Sequence, residues 1–342
     1  MGAGLIVVYI VVVLGLIFEF LNGFHDSANA IATVVATRVL RPLPAVIMAG
    51  TLNLAGALSG TAVAVTLGKG IVEPHSVSQT TVAVALLSAA LWDLITWYFG
   101  LPTSSSHALI FSLIGSAVAA TGGFSVVVLG GTLKTMVGIV YSPVIGVLFG
   151  GLLMLAIYWL FRDARRSAVS GLFGRLQLLS SAYVAFSHGG NDGQKTMGVI
   201  ALALFTSGLL GNNFYVPLWV MVACALAMGL GTTFGGWRII KTMGHRLVKL
   251  APVNGFAAET AAGTVIEIAT RLGIPISTTH AISGSILGVG MVRAPRDVGW
   301  QVAGNIVTAW VLTIPACFAM GFLLMLALTQ IATLGVAIPG IR

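Results

Sequence analysis

The sequence predicts an all-α polytopic membrane protein of about 10–12 transmembrane helices in two related halves, several of the helices broken or re-entrant. Three observations predict it. Of 342 residues, 57% are hydrophobic and only 8% charged, with a mean hydropathy of +1.02. The apolar residues fall in long blocks with short connections, and two polar motifs of the first half recur in the same order in the second. A soluble domain carries about 25% charged residues; 17 Lys and Arg with nine Asp and Glu do not cover a water-facing surface of this size. Lipid therefore replaces water around most of the chain. At about 20 residues per crossing, no room is left for a large extramembrane domain, so the function lies within the bilayer.

The opening residues carry no basic segment and no clear cleavage site, so the first apolar run is read as an uncleaved span. Apolar stretches cover about 4–21, 28–40, 44–67, 79–99, 107–133 and 136–160, then 178–187, 196–210, 214–235, 253–270, 280–292 and 299–337. They are uniformly hydrophobic, as spans in lipid or inside a bundle should be. The short ones flank Gly-, Pro- or Ser/Thr-rich interruptions, the form broken helices take in a sequence. Gly56/Gly60, Gly146/Gly150, Gly231/Gly235 and Gly284/Gly288 have the spacing that lets helix backbones approach, although among 43 glycines any one pair also arises by coincidence. Cys224 and Cys317 stand singly in apolar runs, as small buried hydrophobes with no disulfide or metal motif.

The net charge of +8 does not gather into the aromatic-interleaved patch that nucleic acid requires. Arg162, Arg165, Arg166 and Arg175 cluster between two apolar blocks, and Arg238, Lys241, Arg246 and Lys249 form a second cluster; the excess of basic residues in cytoplasmic loops places both inside the cell. The organisation expected is an N-terminal transmembrane repeat, 1–160, a basic cytoplasmic linker, 161–176, and a C-terminal repeat, 177–342. Re-entrant segments spoil the count of crossings, so the side faced by the N-terminus stays open.

The duplication rests on two motif pairs. Asn22-Gly-Phe-His-Asp26-Ser-Ala-Asn29-Ala-Ile-Ala-Thr33 is matched by Ser187-His-Gly-Gly-Asn191-Asp192-Gly-Gln194-Lys195-Thr196-Met-Gly198. Leu101-Pro-Thr-Ser-Ser-Ser-His107 is matched by Ile274-Pro-Ile-Ser-Thr-Thr-His280. The motif aspartates lie 166 residues apart and the motif histidines 173. Paired interruptions in corresponding halves point to a transporter site where the repeats meet.

In the Pro-Ser/Thr-His breaks, proline suits a first helical turn and Ser/Thr suit caps, which predicts helix N-termini at 103–106 and 276–279. The first N–H groups of a helix lack internal partners and hydrocarbon offers no water to serve them. The hydroxyls of Ser104, Ser105, Ser106, Ser277, Thr278 and Thr279 add donors where the helix dipole favours negative charge, so two such ends would make an anion site. Taken singly, each cluster could instead only cap a turn. Six of the nine acids, Glu19, Asp26, Asp93, Asp192, Glu259 and Glu267, fall in or beside apolar spans, where a carboxylate costs at least about 2.5 kcal/mol and so faces a cavity and a partner. Asp26 and Asp192 sit in Gly/Asn-rich stretches expected to be broken; Glu19 and Glu267 read equally well as helix-end residues. Lys195 either neutralises Asp192 or touches an anionic substrate. The remaining carboxylate excess would repel a bare oxyanion, so cations enter with it, which means symport. His25 beside Asp26 is placed to move a proton; His107 and His280 read equally well as bonds to neighbouring helices. Asn22, Asn29, Asn191, Gln194 and Thr196 add oxygens suited to hard cations.

Residues 22–38 and 190–198, together with Pro102–His107, Pro275–His280 and Asn254-Gly-Phe-Ala-Ala-Glu259-Thr260, resemble the paired signatures of the inorganic phosphate transporter (PiT) family over nearly the whole chain. The resemblance implies secondary phosphate uptake across the inner (cytoplasmic) membrane, an inverted-repeat fold of about 12 spans and no cofactor, and it allows a homodimer. By position it places substrate and coupling-ion contacts on Asp26, Asn29, Asp192, Gln194, both Ser/Thr clusters and Glu259, with His25, Asn191 and Lys195 beside them. His25-Asp26 stands where many members have Asn-Asp. That form resembles bacterial members that couple to protons and carry metal–phosphate, whereas Asn-Asp in both halves goes with sodium. The function expected is therefore proton–phosphate symport, including neutral divalent metal–phosphate such as that of Mg2+, with Asp26 and Asp192 holding the travelling cation and no permanent metal site. Alternatives are a sodium-coupled phosphate symporter and a sulfate permease of the same fold. Sulfate, a dianion without a proton, would call for fewer acceptors. An intramembrane enzyme is disfavoured because neither HExxH nor GxSxG occurs; a channel would conduct without accumulating its ion.

Overall fold

The computed structural model describes residues 2–334, and residues 335–337 of the last apolar stretch lie outside them. The first half contains α1 (Gly2–Ala36), α2 (Pro42–Ala57), α3 (Ala62–Gly70), α4 (Gln79–Phe99), α5 (Ser105–Thr121) and α6 (Leu129–Leu160). The second contains α7 (Arg166–Thr206), α8 (Leu218–Phe234), α9 (Trp237–Lys241), α10 (Pro252–Arg271), α11 (Thr278–Arg293) and α12 (Trp300–Thr333). A π-helical turn, Thr242–Leu247, continues α9. No strand occurs among the described residues.

The two sets of six correspond element by element. A bent pair, α2–α3 at 67°, is matched by α8 with α9 and its π turn at 58°. The packing is reciprocal as well: α1 lies on α8 as α7 lies on α2, and α5 lies on α12 as α11 lies on α6. Glycine at equivalent places permits these crossings. A Cβ on Gly56 of α2 would stand 2.0 Å from the Phe186 carbonyl oxygen of α7, and one on Gly231 of α8 would stand 2.0 Å from that of Phe20 on α1. Of their partners in the sequence spacing, a Cβ on Gly60 would meet only the Gln194 side chain, at 3.6 Å, and one on Gly235 would first meet the Trp237 ring, at 2.9 Å.

Four helices, α1, α4, α6 and α12, are long and apolar enough to cross a membrane, or six spans if each bent pair counts as one. The remaining crossings expected from hydropathy fall on helices with polar interiors. α7 has 41 residues, about 60 Å, and α10 has 20, about 30 Å; both carry buried polar motif residues that lower their hydropathy. α5 and α11, with 17 and 16 residues, begin inside the protein at the two Pro-Ser/Thr breaks. The stretches 4–21 and 28–40 belong largely to one helix, α1, which runs unbroken through Asn22–Thr33, and α7 runs likewise through Ser187–Gly198. The expectation of breaks at these two motifs is corrected. Their glycines serve close helix contact instead of unwinding: a Cβ on Gly23 would lie 2.3 Å from the Met228 carbonyl oxygen, and one on Gly189 2.1 Å from that of Asn53.

Of the basic segment 161–176, residues 161–165 connect α6 to α7 and the rest forms the opening turns of α7. These turns share one end of the molecule with the second basic cluster. A cavity joins Arg162 and Arg166 to Ala251–Val253, Arg293 donates to the Lys249 carbonyl, and Gly299 lies against the Arg246 carbonyl. α1 runs towards this basic end and α7 leaves it, with Thr37 bonded to Gln177 nearer that end and Glu19 to Thr196 further from it, so the two helices point in opposite directions.

Candidate functional site

The second pair of breaks forms the helix starts the sequence predicts. Ser104 and Ser277 are extended N-cap residues whose hydroxyls accept from the backbone N–H of His107 (3.3 Å) and His280 (3.2 Å). One hydroxyl of each trio is therefore a plain cap. Ser104→Ala and Ser277→Ala are each expected to lower stability by about 1 kcal/mol, read as a lower thermal unfolding midpoint of the purified protein in detergent; unchanged midpoints would show that the caps do not matter. The other two hydroxyls of each trio, with the uncapped N–H groups of the first turn, remain for the interior.

Those hydroxyls are reached from the opposite half. The Asn29 amide, on α1, donates to Thr279 Oγ1 at 2.9 Å and Thr278 Oγ1 at 3.3 Å, on α11. The Lys195 ammonium, on α7, donates to the Ser106 hydroxyl of α5, to the Ile276 carbonyl at 2.6 Å, and to Asp192. The first-half motif thus holds the second-half break, and the second-half motif holds the first-half cluster. Lys195 is thus ion-paired with Asp192, whose other oxygen accepts from Thr278 at 2.7 Å and lies 3.2 Å from His188 Nε2.

Asp26 and Asp192 meet although they belong to different halves. Each is almost fully buried, and one ligand atom from each of Asp26, His188 and Asp192 fits within 4.8 Å of the others. Two carboxylate oxygens and an imidazole nitrogen are a donor set that could hold a divalent cation. On the far side of Asp26, His25 Nδ1 is 2.7 Å from its carboxylate, while Nε2 is 3.1 Å from the Thr96 hydroxyl, to which Thr103 also donates at 2.9 Å. This chain leads from the site along α4. One turn before Thr96, Asp93 is buried, with the Ser105 hydroxyl of α5 as its neighbouring side-chain donor; a carboxylate so placed is costly without a proton or cation.

Other expected site residues turn elsewhere. Gln194 accepts from the Val63 N–H at 2.9 Å and so satisfies the start of α3. Asn191 braces the second break, donating to Thr270 at 2.9 Å and accepting from the Ile276 N–H at 3.4 Å. Glu259 lies in a separate polar nest, accepting from Thr33 and Ser180 at 2.5 Å each and from Gln177 at 3.1 Å. Glu19 accepts from Thr196. His107 and His280 meet edge to face with ring centroids 4.6 Å apart; His280 Nδ1 lies 3.4 Å from the Ile139 carbonyl, and neither ring nitrogen of His107 has a partner among the described residues. His188 was absent from the expected site set. Its signal was available in the i, i+4 spacing to Asp192, which puts both on one helix face.

Comparison with known proteins places these features among relatives. Residues 22–321 match the model of the phosphate transporter family. Over 306 residues the chain is 51% identical to a probable low-affinity inorganic phosphate transporter of Rhizobium meliloti, covering 89% of this chain and 91% of that protein. It is 43% identical to the protein of the same description from Bacillus subtilis, covering 93% and 96%. Among solved structures, one described as the sodium-dependent phosphate transporter superposes with a TM-score of 0.85 at 26% identity, over 95% of this chain and 99% of that one.

Proposed function

Because the chain belongs to the phosphate transporter family, we propose that this multi-pass membrane protein imports inorganic phosphate by symport with protons, including phosphate paired with a divalent cation such as Mg2+. The observation that carries this reading is the meeting of Asp26 and Asp192 beside two Ser/Thr-lined helix starts. The helix starts supply hydroxyls and N–H groups for phosphate oxygens. The carboxylates, only one of which has a lysine, repel an anion that arrives without positive company. Phosphate that keeps a proton also donates to carboxylate, which sulfate does not.

The His25–Asp26 contact, continued through Thr96 and Thr103, supports protons as the coupling ion, since imidazole exchanges protons near neutral pH. The basic end faces the cytoplasm by the positive-inside rule, which sets the start of α1 on the outer side. The opposed directions of α1 and α7 support an inverted repeat, in which the halves rock about the central site. The Asn29–Thr279 and Lys195–Ser106 bonds are the cross-half contacts that such a motion must exchange.

A second reading, sodium coupling, is favoured by the solved relative described as sodium-dependent. Uptake of labelled phosphate into proteoliposomes separates the two. A pH gradient, acid outside, is expected to drive accumulation without sodium, and added Mg2+ to raise it; accumulation driven by a sodium gradient alone would replace the proton assignment. Sulfate in about tenfold excess is expected to leave uptake nearly unchanged, and full competition would reassign the cargo.

A further inference from the structure

We propose that the basic end carries a binding site for an anionic phospholipid, between the end of α6 and the starts of α7 and α10. A cavity of about 460 Å³ opens there. Its polar wall is formed by Arg162, Arg166 and the Ser170 hydroxyl, and its apolar wall by residues that include Ile157, Phe161 and Val253. Arg166 makes no ion pair among the described residues, and Arg162 has only Asp163, an exposed neighbour at 3.1 Å. Two guanidiniums on one cavity recognise a phosphodiester, which they bind through paired charged hydrogen bonds.

Two further features strengthen the polar wall. α7 begins at Arg166 with no side-chain cap, whereas the start of α10 is closed by Asn254, which accepts from the Ala251 N–H at 3.0 Å. The first N–H groups of α7 are therefore left without a side-chain partner, and the helix start, which includes the cavity residue Arg166, adds positive potential at this end. Arg165 precedes the cavity residue Arg166 directly, and Lys249, whose carbonyl accepts from Arg293, stands two residues before the cavity residue Ala251.

The apolar wall decides between a lipid and a free anion. Inorganic phosphate is hydrated on all sides and gains nothing from Ile157, Phe161 and Val253. A phospholipid at the cytoplasmic surface places its headgroup on the arginines and the upper part of an acyl chain on those side chains, where basic pockets between spans hold anionic lipids. None of the cavity's lining residues belongs to the Asp26–Asp192 site, and the proposal does not depend on the transport reading.

The test uses the full chain purified in mild detergent, probed by native mass spectrometry with phosphatidylglycerol, phosphatidylcholine or inorganic phosphate. Wild type is expected to retain phosphatidylglycerol over phosphatidylcholine by about tenfold, the scale of a hydrogen bond to a charged group. Arg162→Gln with Arg166→Gln should remove that preference. Val253→Trp, which fills the apolar wall with both charges intact, should lower retention as well and keeps the test valid if the double variant does not fold. Equal retention of the two lipids, unchanged retention in both variants, or displacement of phosphatidylglycerol by inorganic phosphate would each overturn the proposal.

Discussion

Asp26→Asn is expected to abolish phosphate accumulation in proteoliposomes while the protein still folds and inserts. The substitution is nearly isosteric and leaves the packing of α1 intact, but it removes one of the two carboxylates that meet across the halves. At an effective dielectric constant near 20, a cation about 4 Å from a carboxylate gains about 4 kcal/mol. Losing even half of that weakens cation capture by well over tenfold, and symport requires the cation in every cycle. His25 loses the anionic acceptor 2.7 Å away at the same time, so the proton route proposed through Thr96 would be interrupted where it meets the site. Initial rates of labelled phosphate uptake under a pH gradient, normalised to inserted protein, measure the effect. Transport at the wild-type rate would show that the centre is misplaced. Asp192→Asn makes a harsher comparison, because it leaves the Lys195 ammonium buried without its carboxylate. Breaking a buried pair on one side costs about 3–5 kcal/mol, so this variant should lose stability as well as transport.

Gly231→Ala should prevent correct assembly. The added methyl group would stand 2.0 Å from the Phe20 carbonyl oxygen and 3.0 Å from the Phe24 amide nitrogen, both backbone atoms of α1. Neither can turn aside as a flexible side chain would, so α8 and α1 must separate. Overpacking typically costs about 1–3 kcal/mol and more when backbone must move, and α1 is the helix that carries His25, Asp26 and Asn29 into the site. Gly171→Ala is the control. It is also a helical glycine, but a methyl group there meets nothing within 4 Å, and the gain in helix propensity is about 1 kcal/mol. Yield of monodisperse protein in detergent reads both variants; a well-behaved Gly231→Ala protein would show that the α1–α8 crossing is looser than its geometry requires.

The sequence by itself determined what is local or repeated. The scarcity of charge made the chain a membrane protein, since no other solvent tolerates that surface. The recurrence of Asp26 at Asp192 and of His107 at His280 pointed to two related halves. Proline followed by Ser/Thr fixed the starts of α5 and α11, because capping depends on a few consecutive residues. The polar content of Asn22–Thr33 and Ser187–Gly198 marked them as important, but suggested breaks where the helices are continuous. Glycine in a sequence does not reveal whether it unwinds a helix or lets another backbone press against it; only the presence of the Met228 and Asn53 carbonyls decides that.

Tertiary structure alone decided which motif residues face one another. A uniformly apolar helix gives little sign of which side turns inward. The sequence therefore could not separate Asp192, which faces the site, from its neighbours Asn191 and Gln194, which hold the second break and the start of α3. Nor could it show that Glu259 takes its donors from α1 and α7. The contacts that join the halves, Asn29 to Thr279 and Lys195 to Ser106, link residues 250 and 89 positions apart. Such pairings leave no local trace, because they arise only when each half packs its helices against the other.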